Sequence, residues 1–524
     1  MEKGNYRLND KFKPRLYQQT IFYKSIEKNT LVVLPTGLGK TLIAAMLSIY
    51  KLNEDPNKKI VFLAPTKPLV IQHKNTFEDC INVNPDEMNI FTGTVNAETR
   101  KELWVESKIC FMTPQTLQND IANGLYYLED ASLVIFDEAH RATGNYAYTY
   151  IANELVRTNK KSRILAMTAS PGGTMEKIEE IMSNLFIKQV EIRGETDKDV
   201  KPYFKKNKVK WIQIDLPPKF IEIKSILEKE FKKIITFIKE KNLMNREDLK
   251  YVSRMDLLDL NKKIQMQINQ AMDFDEKNQL FEIIKILAVG MRISHSLELI
   301  ETQGLTALSK YLVNCEKDSQ KANSSKALRI FVHSIYKNQI EWKLKALMDK
   351  KVVHPKIMRL KGILKDFTNE NPDSRIIVFA HYRVTVKLIV NFLKENGFTK
   401  ITEFHGQQSS GRGKGMSQKQ QTEIIRDFHE GTFQILVSTS VAEEGLDIGE
   451  CDLVVFYDVV PSEIRTIQRK GRTGRKREGT VIILMAKNTR DEAYYYAEKA
   501  KEARMKETLS KFKQKKYKSL DSFK

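Results

Sequence analysis

The chain has 524 residues, of which 41% are hydrophobic and 29% are charged, a balance typical of folded soluble proteins and not of disordered ones. Its 87 lysines and arginines against 66 aspartates and glutamates give a formal net charge of +21, which predicts a polyanionic partner, either nucleic acid or a membrane surface. No run of about 18 apolar residues occurs and the start has no apolar stretch, so we expect neither a membrane span nor a signal peptide.

Short apolar runs recur between residues 30 and 190. Each is rich in Val, Ile, Leu and Phe, is bounded by Pro, Gly, Asp or Thr, and alternates with amphipathic helical stretches. This pattern predicts the buried parallel strands of an α/β sheet. The runs occupy residues 30–35, 59–65, 107–114, 131–140 and 162–170.

The same pattern returns in the C-terminal part of the chain. The later runs occupy residues 375–383, 433–440, 452–461 and 480–486. Because the two groups of runs are far apart in sequence, we predict two separate α/β sheets.

The segment between the two groups has long helical periodicity. Residues 201–350 contain 29 basic and 19 acidic residues. One interpretation is a helical spacer with a solvated charged face. The other, which we favour because the charge is lopsided, is a helical domain that contacts the nucleic-acid backbone. Residues 487–524 contain 12 basic and 6 acidic residues, which suits phosphate contact and plain solubility equally.

A glycine-containing loop follows the first predicted strand, in the sequence LPTGLGKT. Gly37 and Gly39 would let backbone N–H groups surround a phosphate, and Lys40 could reach the β and γ phosphates. The Thr41 hydroxyl could hold Mg²⁺ at the start of a helix. The strict phosphate-loop pattern has Gly where this chain has Leu34, but the strand–loop–helix context still predicts a nucleoside triphosphate site.

Two carboxylates end the fourth apolar run. In an open parallel sheet the ligand site lies at the carboxyl ends of the strands. Asp137 could therefore hold Mg²⁺, and Glu138 could polarise the water that attacks the γ phosphate. His140 could couple this site to motion or could simply be packed.

An arginine-rich segment, QRKGRTGR, follows the third run of the second group. Arg472 and Arg475 are three residues apart and would lie near one face of a helix. Guanidinium groups brought from a second domain would neutralise charge on a transferring phosphoryl group. The alternative is a basic surface loop.

In order along the chain, the motifs resemble those of superfamily 2 helicases and translocases. The matching segments are RLYQ (15–18), LPTGLGKT, APTKPL (64–69), TPQT (113–116), DEAH, TAS (168–170), IVFAHYR (377–383), STSVAEEGLDI (438–448) and QRKGRTGR. Longer stretches such as FDEAHRATGNYAY and PSEIRTIQRKGRTGRKR resemble the archaeal Hef helicases and the Fanconi anaemia group M protein. The resemblance implies an α/β fold of two RecA-like parallel-sheet domains with a helical insert domain between them.

The same resemblance implies the boundaries and the substrate. We expect an ATP-binding domain at 1–204, the insert at 205–350, the second RecA-like domain at 351–490 and a basic C-terminal helix or tail at 491–524. The resemblance also implies an ATP-dependent helicase that acts on forked or branched DNA in repair. Many Hef proteins add an XPF-type nuclease with a Glu-Arg-Lys motif. Because we find no such motif, we expect no nuclease activity here, and repair or replication proteins, including a separate nuclease, as partners.

The resemblance assigns roles to individual residues. Gln18 would read the adenine edge with support from Arg15, and Asp447 would meet the ribose or order the closed site. Gln468 would join the two arginines in completing the ATP site, and Thr168 and Ser170 would link that site to the nucleic-acid track. The residues expected to bind ATP and Mg²⁺ are Arg15, Gln18, Pro35, Thr36, Gly37, Leu38, Gly39, Lys40, Thr41 and Asp447, with Asp137 as the second metal ligand.

Candidates for sequence-tolerant contact with nucleic-acid phosphates have hydroxyls, cationic side chains or loop N–H groups. They are Thr66, Lys67, Thr113, Gln115, Arg383, Gly406, Gln407, Thr439 and Ser440. Two other functions stay open: a duplex-RNA translocase, because RNA sensors and Dicer helicase modules have a similar insert, and a non-catalytic clamp that uses ATP only as a structural ligand. The four cysteines lie far apart without a CxxC pair, so we expect no zinc site and a cytoplasmic location.

Overall fold

Two parallel β-sheets, joined by a bundle of helices, form the part of the chain that the structure describes. This computed structural model describes residues 5–203, 207–244, 252–350, 352–406, 415–442, 448, 451–459, 469 and 479–521, with the backbone alone for 513–521. The predicted fold class, two parallel-sheet domains with a helical insert between them, is confirmed.

The first sheet has seven parallel strands. They are β1 (Thr30–Val33), β2 (Lys59–Leu63), β3 (Met88–Phe91), β4 (Ile109–Met112), β5 (Ala131–Phe136), β6 (Arg163–Thr168) and β7 (Gln189–Ile192). The helices of this unit are α1 (Leu16–Glu27), α2 (Lys40–Glu54), α3 (Lys67–Cys80), α4 (Ala97–Glu106), α5 (Pro114–Ala122), α6 (Ala147–Thr158) and α7 (Met175–Asn184). The spatial order β3-β4-β2-β5-β6-β1-β7 places β5, β6 and β1 side by side near its middle.

The helical insert packs around a core of its own. Its α-helices are α8 (Pro218–Glu240), α9 (Arg254–Gln270), α10 (Phe274–Glu298), α11 (Leu305–Ser319), α12 (Lys326–Ile330) and α13 (Glu341–Asp349), with π-helical turns at Leu299–Gln303 and Phe331–Ile340. In α8 the buried residues recur every three or four positions, from Phe220 to Ile238, while Lys232 and Lys233 lie on the exposed face. Among the described residues, no helix combines the length and the apolar character needed to cross a bilayer.

Within the described residues, the second sheet has six parallel strands, one of which precedes the insert. They are β8 (Lys208–Ile214), β9 (Ile376–Phe379), β10 (Ile401–Phe404), β11 (Ile435–Ser438), β12 (Leu453–Phe456) and β13 (Thr480–Ala486), in the spatial order β10-β11-β9-β12-β13-β8. The helices of this unit are α14 (Pro355–Glu370), α15 (Arg383–Glu395), α16 (Gln418–Glu430) and α17 (Arg490–Asp521).

The insert does not begin at residue 205 as expected, because the strand β8 comes first. All seven of its residues pair with β13, so the chain enters the second sheet before it enters the insert. As an edge strand β8 is largely exposed, and Lys208 and Lys210 interrupt its apolar pattern. It therefore lacks the continuous apolar run by which the inner strands are recognised.

A buried ion pair fixes the start of α17 to the second sheet. Lys356 on α14 and Asp491 in the first turn of α17 are paired, and both side chains are fully buried. Asp491 also accepts a hydrogen bond from the backbone N–H of Ala486 at 3.1 Å. Burial raises the pKa of Asp491 to about 6, so at pH 8 its carboxyl is ionised beside the lysine ammonium.

We expect Lys356→Met to lower the melting temperature of the protein at pH 8, because Asp491 would keep a buried charge without its cation. Removing one partner of a buried ion pair typically costs about 3–5 kcal/mol. The double variant Lys356→Met/Asp491→Leu should recover a large part of this loss in thermal unfolding, since it leaves no charge uncompensated. A double variant less stable than the single one would contradict this account.

Candidate functional site

The loop between β1 and α2 has the backbone of a phosphate-binding turn. Gly37 and Gly39 adopt φ angles of +80° and +75°, which an L side chain rarely tolerates. The N–H of Leu34 donates to the Thr168 carbonyl at 3.1 Å, so the loop starts beside the end of β6. Gly39 caps α2, which begins at Lys40, so the positive end of the helix dipole faces the turn.

Two side chains of α1 donate hydrogen bonds to the backbone carbonyls of this turn. The Gln18 amide donates from Nε2 to the Leu38 carbonyl at 3.1 Å and to the Gly39 carbonyl at 3.4 Å. The Tyr17 hydroxyl donates to the same Leu38 carbonyl at 2.8 Å. Gln18 Oε1 accepts from the Arg15 N–H at 2.8 Å, which places Arg15 at the same corner. Tyr17 was not predicted as a site residue, since nothing in the motif distinguishes it from an ordinary core tyrosine.

The remaining residues predicted for the loop lie where the motif places them. Lys40 Nζ donates to the Leu34 carbonyl at 3.0 Å, so the ammonium lies across the turn. Leu38 is buried in the core under the sheet, which anchors the turn. The residues Pro35, Thr36 and Thr41 are half-buried around it.

Asp137 is held at the end of β5 by three contacts. Its N–H donates to the Leu63 carbonyl at 2.9 Å, and its own carbonyl accepts from the Tyr148 hydroxyl at 2.6 Å. Burial raises the pKa of Tyr148 well above its usual value, so the hydroxyl keeps its proton and donates. Asp137 Oδ2 lies 2.8 Å from His73 Nε2 on α3. No sequence motif identifies His73 or Tyr148 as a partner of this carboxylate.

The surroundings of Asp137 favour the ionised carboxylate. Burial alone would raise the pKa of this carboxyl, but the nearby charge and hydrogen bond of His73, together with the Lys40 ammonium, hold the pKa below its usual value. An ionised carboxylate and a threonine hydroxyl are oxygen donors of the kind that Mg²⁺ prefers. The donor set offered by Asp137 and Thr41 therefore fits this metal.

Glu138 is the first of several residues that contact one another in succession and link the DEAH loop to the TAS loop. Its backbone is left-handed, with φ 49° and ψ 49°, an uncommon conformation for a residue other than glycine. Its carboxylate lies 3.2 Å from His140 Nδ1, which is also 3.2 Å from Thr168 Oγ1. Thr168 Oγ1 donates to the Ser170 carbonyl at 3.0 Å and accepts from the Ser170 N–H at 3.1 Å. His140 therefore bridges the DEAH and TAS segments and is not merely packed.

The same chain of contacts continues into the C-terminal helix. The Ser170 hydroxyl donates to the Met505 sulfur at 2.9 Å, and the Thr508 hydroxyl donates to the Gly173 carbonyl at 3.4 Å. Leu509 and Phe512 pack against the core of the first sheet. Because α17 starts on the second sheet, it physically connects that sheet to the TAS loop of the first.

Candidate nucleic-acid residues of the first sheet lie on adjacent loops. Thr66 and Lys67 begin α3 after β2, and Thr113 caps α5 after β4, the strand paired with β2. Lys67 Nζ donates to Thr94 Oγ1 at 3.0 Å, and Gln115 is exposed. Among the described residues, the buried Thr66 hydroxyl has no hydrogen-bond partner.

Candidates of the second sheet also lie together. Arg383 begins α15 after β9, and its Nη2 donates to the Gly406 carbonyl at 3.0 Å after β10. The N–H of Thr439, after β11, donates to the Phe404 carbonyl at 3.2 Å. Thr439 is buried, whereas Ser440 is exposed. All three loops leave the carboxyl ends of neighbouring strands.

Several predicted residues lie outside the part of the chain that the structure describes. They are Gln407, Asp447, Gln468, Arg472 and Arg475. In the arginine-rich segment the structure describes Arg469, whose guanidinium lies 5.0 Å from the Phe379 ring and 5.2 Å from the Phe456 ring. Arg469 is buried against the second sheet.

Comparison with known families gives three matches along the chain. Residues 15–178 match the DEAD/DEAH box helicase family, and residues 355–477 match the helicase conserved C-terminal domain. Residues 219–354 match a family described as ATP-dependent RNA helicase, helical bundle. The three matches correspond to the first sheet, the second sheet and the insert.

Individual relatives match over nearly the whole chain. The crystal structure of the Pyrococcus furiosus Hef helicase domain is 41% identical, with a TM-score of 0.68, and the match covers 92% of this chain and 98% of that one. A Methanocaldococcus jannaschii protein, named as an ATP-dependent RNA helicase, is 39% identical over 94% of this chain and 60% of its own length. The ATP-dependent DNA helicase Mph1 of Neurospora crassa is 34% identical over 92% of this chain. The match spans 41% of Mph1, so this chain corresponds to only part of these curated relatives.

We expect Gly39→Ala to weaken ADP binding at least about fivefold, because a left-handed backbone costs an L side chain about 1–2 kcal/mol. The added Cβ would also lie 2.4 Å from Gln18 Nε2 and displace the amide that holds the turn. Gly93→Ala is the matched control, since a Cβ there meets nothing within 4 Å. Calorimetric titration with ADP measures both, and an unchanged affinity in Gly39→Ala would contradict the proposed geometry of the turn.

Proposed function

The chain belongs to the Hef family of superfamily 2 helicases, as its motifs predict, and from this premise we propose that it is an ATP-dependent DNA helicase or translocase that acts on forked or branched DNA. The observation that carries the proposal is the convergence of Lys40, Asp137 and the Glu138–His140 pair at one edge of the first sheet. Such a convergence of cation, metal ligand and base suits phosphoryl transfer to water.

In this proposal each residue at that edge has a defined task. The turn from Gly37 to Gly39 surrounds the phosphates with N–H groups, and Lys40 neutralises charge between the β and γ phosphates. Thr41 and Asp137 hold Mg²⁺, which supplies further positive charge to the phosphates when it is bound. Glu138 accepts a proton from the attacking water, in an orientation fixed by His140.

The second sheet would complete the site. From the motif resemblance, Gln468, Arg472 and Arg475 would approach the γ phosphate from across the cleft, and Asp447 would order the closed arrangement. Such a bridge forms with ATP and loosens after hydrolysis. In this account α17 carries the change between the sheets, because it touches Ser170 near its middle and the second sheet at its N-terminal end.

Nucleic acid would run along the carboxyl edges of both sheets. Thr66, Lys67, Thr113 and Gln115 would hold one part of the backbone, and the loops at Arg383, Gly406, Gln407, Thr439 and Ser440 another. Contacts of this kind grip phosphates without reading bases, as a translocase requires. The exposed lysines of α8 would add affinity for branched substrates.

The identity of the nucleic acid is the part of the proposal that most needs a test. Mph1 is named as a DNA helicase, which supports a DNA substrate. The M. jannaschii relative is named as an RNA helicase, which supports the alternative of a duplex-RNA translocase. The motif match to Hef leads us to DNA. A DNA substrate is consistent with a cytoplasmic location and with repair or replication proteins, including a separate nuclease, as partners.

We expect Lys40→Ala and Glu138→Gln to abolish ATP turnover and to leave DNA binding within about twofold of the wild type, because the proposed track lies on other loops. Steady-state hydrolysis and fluorescence anisotropy with a forked DNA measure the two properties. Turnover in Glu138→Gln equal to the wild type would revive the non-catalytic clamp, and an equal loss of DNA binding would contradict the separation of the two sites.

Hydrolysis titrated with matched single-stranded, duplex, forked and four-way DNA, and with duplex RNA, tests the substrate. We expect forked or four-way DNA to stimulate hydrolysis by the wild type most. Stimulation by duplex RNA alone would establish the RNA alternative.

The triple variant Lys232→Ala/Lys233→Ala/Lys239→Ala should bind branched DNA more weakly and with a flatter salt dependence. The reason is that each lost phosphate contact reduces the slope of log K against log salt by about 1. An unchanged salt slope would show that these lysines do not contact the DNA.

A further inference from the structure

The segment that connects the first sheet to the second packs beside Arg15 and Tyr17, next to the phosphate loop, before it reaches the second sheet. After β7 the chain passes Arg193, which pairs with Asp199 at 3.0 Å, and Val200, which is buried in the same core as Tyr17. A short 3₁₀ helix, Lys201–Tyr203, follows, and β8 of the second sheet begins soon after it.

Tyr203 stacks on Arg15 at this corner. The guanidinium carbon of Arg15 lies 4.3 Å from the centre of the Tyr203 ring. Arg15 Nη1 also donates to the Tyr17 hydroxyl at 3.1 Å, and the Tyr17 and Tyr203 rings are 6.0 Å apart at 59°. The guanidinium is thus oriented by a ring on one face and a hydroxyl at one edge, and its backbone N–H bonds to Gln18.

Packing alone is a poor explanation for this arrangement. The Tyr203 residue is 43% exposed, so it lies at the surface and is not one of the buried core residues. The contact instead places the Tyr203 ring against the Arg15 guanidinium in the geometry of a cation–π interaction. Without the ring, the guanidinium could adopt many orientations. The effect of the contact is to fix the plane of the Arg15 guanidinium, whose partner Tyr17 shares the Leu38 carbonyl with the Gln18 amide.

We propose that Tyr203 is a positioning residue for the nucleotide: it orients the Arg15 guanidinium so that the base of the bound nucleotide meets a pre-arranged cation and amide. The inference rests on the proposed function, because it assumes that the base lies at Arg15 and Gln18. In this proposal the phosphates lie against the N–H groups of the turn, whereas Tyr203 acts on the base through its contact with Arg15. Its loss should therefore affect the base end of the ligand only.

The test compares variants of the full chain without nucleic acid. Tyr203→Ala and Tyr203→Leu should weaken ADP binding about two- to fivefold, the effect expected for an exposed cation–π contact, while Tyr203→Phe should bind like the wild type because the ring is retained. The KM for ATP should rise by the same factor in the first two variants, with kcat unchanged. Tyr127→Ala is the matched control, since Tyr127 is 57% exposed and precedes the amino-terminal end of β5, whereas the phosphate loop lies at the carboxyl ends of the strands.

Inorganic tripolyphosphate, which has no base, separates positioning from a general structural role. We expect its binding to be equal in the wild type and all Tyr203 variants. The inference is overturned if Tyr203→Ala binds ADP like the wild type, if Tyr203→Phe is as weak as Tyr203→Ala, or if tripolyphosphate weakens in parallel with ADP. A wild type that binds no ADP and hydrolyses no ATP would instead overturn the proposed function, so the two failures differ.

Discussion

The pairing of neighbouring parallel strands is the constraint on which the rest of the structure depends. Because β5, β6 and β1 lie side by side and point the same way, their carboxyl ends form one edge. Backbone hydrogen bonds from Leu34 to Thr168 and from Asp137 to Leu63 set the register of that edge. Cation, carboxylates and helix N-terminus meet there although about a hundred residues separate the two acidic positions from the turn.

The edge is connected outward by a continuous series of contacts. Glu138, His140, Thr168 and Ser170 touch one after another, and Ser170 touches Met505 on α17. The N-terminal end of α17 is fixed to the second sheet by a buried ion pair, where removal of either charge is costly. Glu138 is therefore linked through successive contacts to the helix that joins the two sheets, as the proposed ATP-driven motor requires.

The sequence was most informative where local pattern determines structure. Apolar runs identified the inner strands, since burial on both faces demands continuous Val, Ile and Leu. The edge strand β8, with Lys208 and Lys210, lacks that signal. Residues such as His73 and Tyr203 were missed for another reason: their roles arise from contacts with residues far away in sequence, Asp137 and Arg15, and no short motif records such pairs.

A high-resolution structure with Mg²⁺ and a non-hydrolysable ATP analogue tests the central claim most directly. The account predicts phosphates against the turn from Gly37 to Gly39, the metal bound by Thr41 and Asp137, and the base beside Gln18. Phosphates bound away from that turn, or a metal without Asp137 in its coordination or water shell, would contradict it.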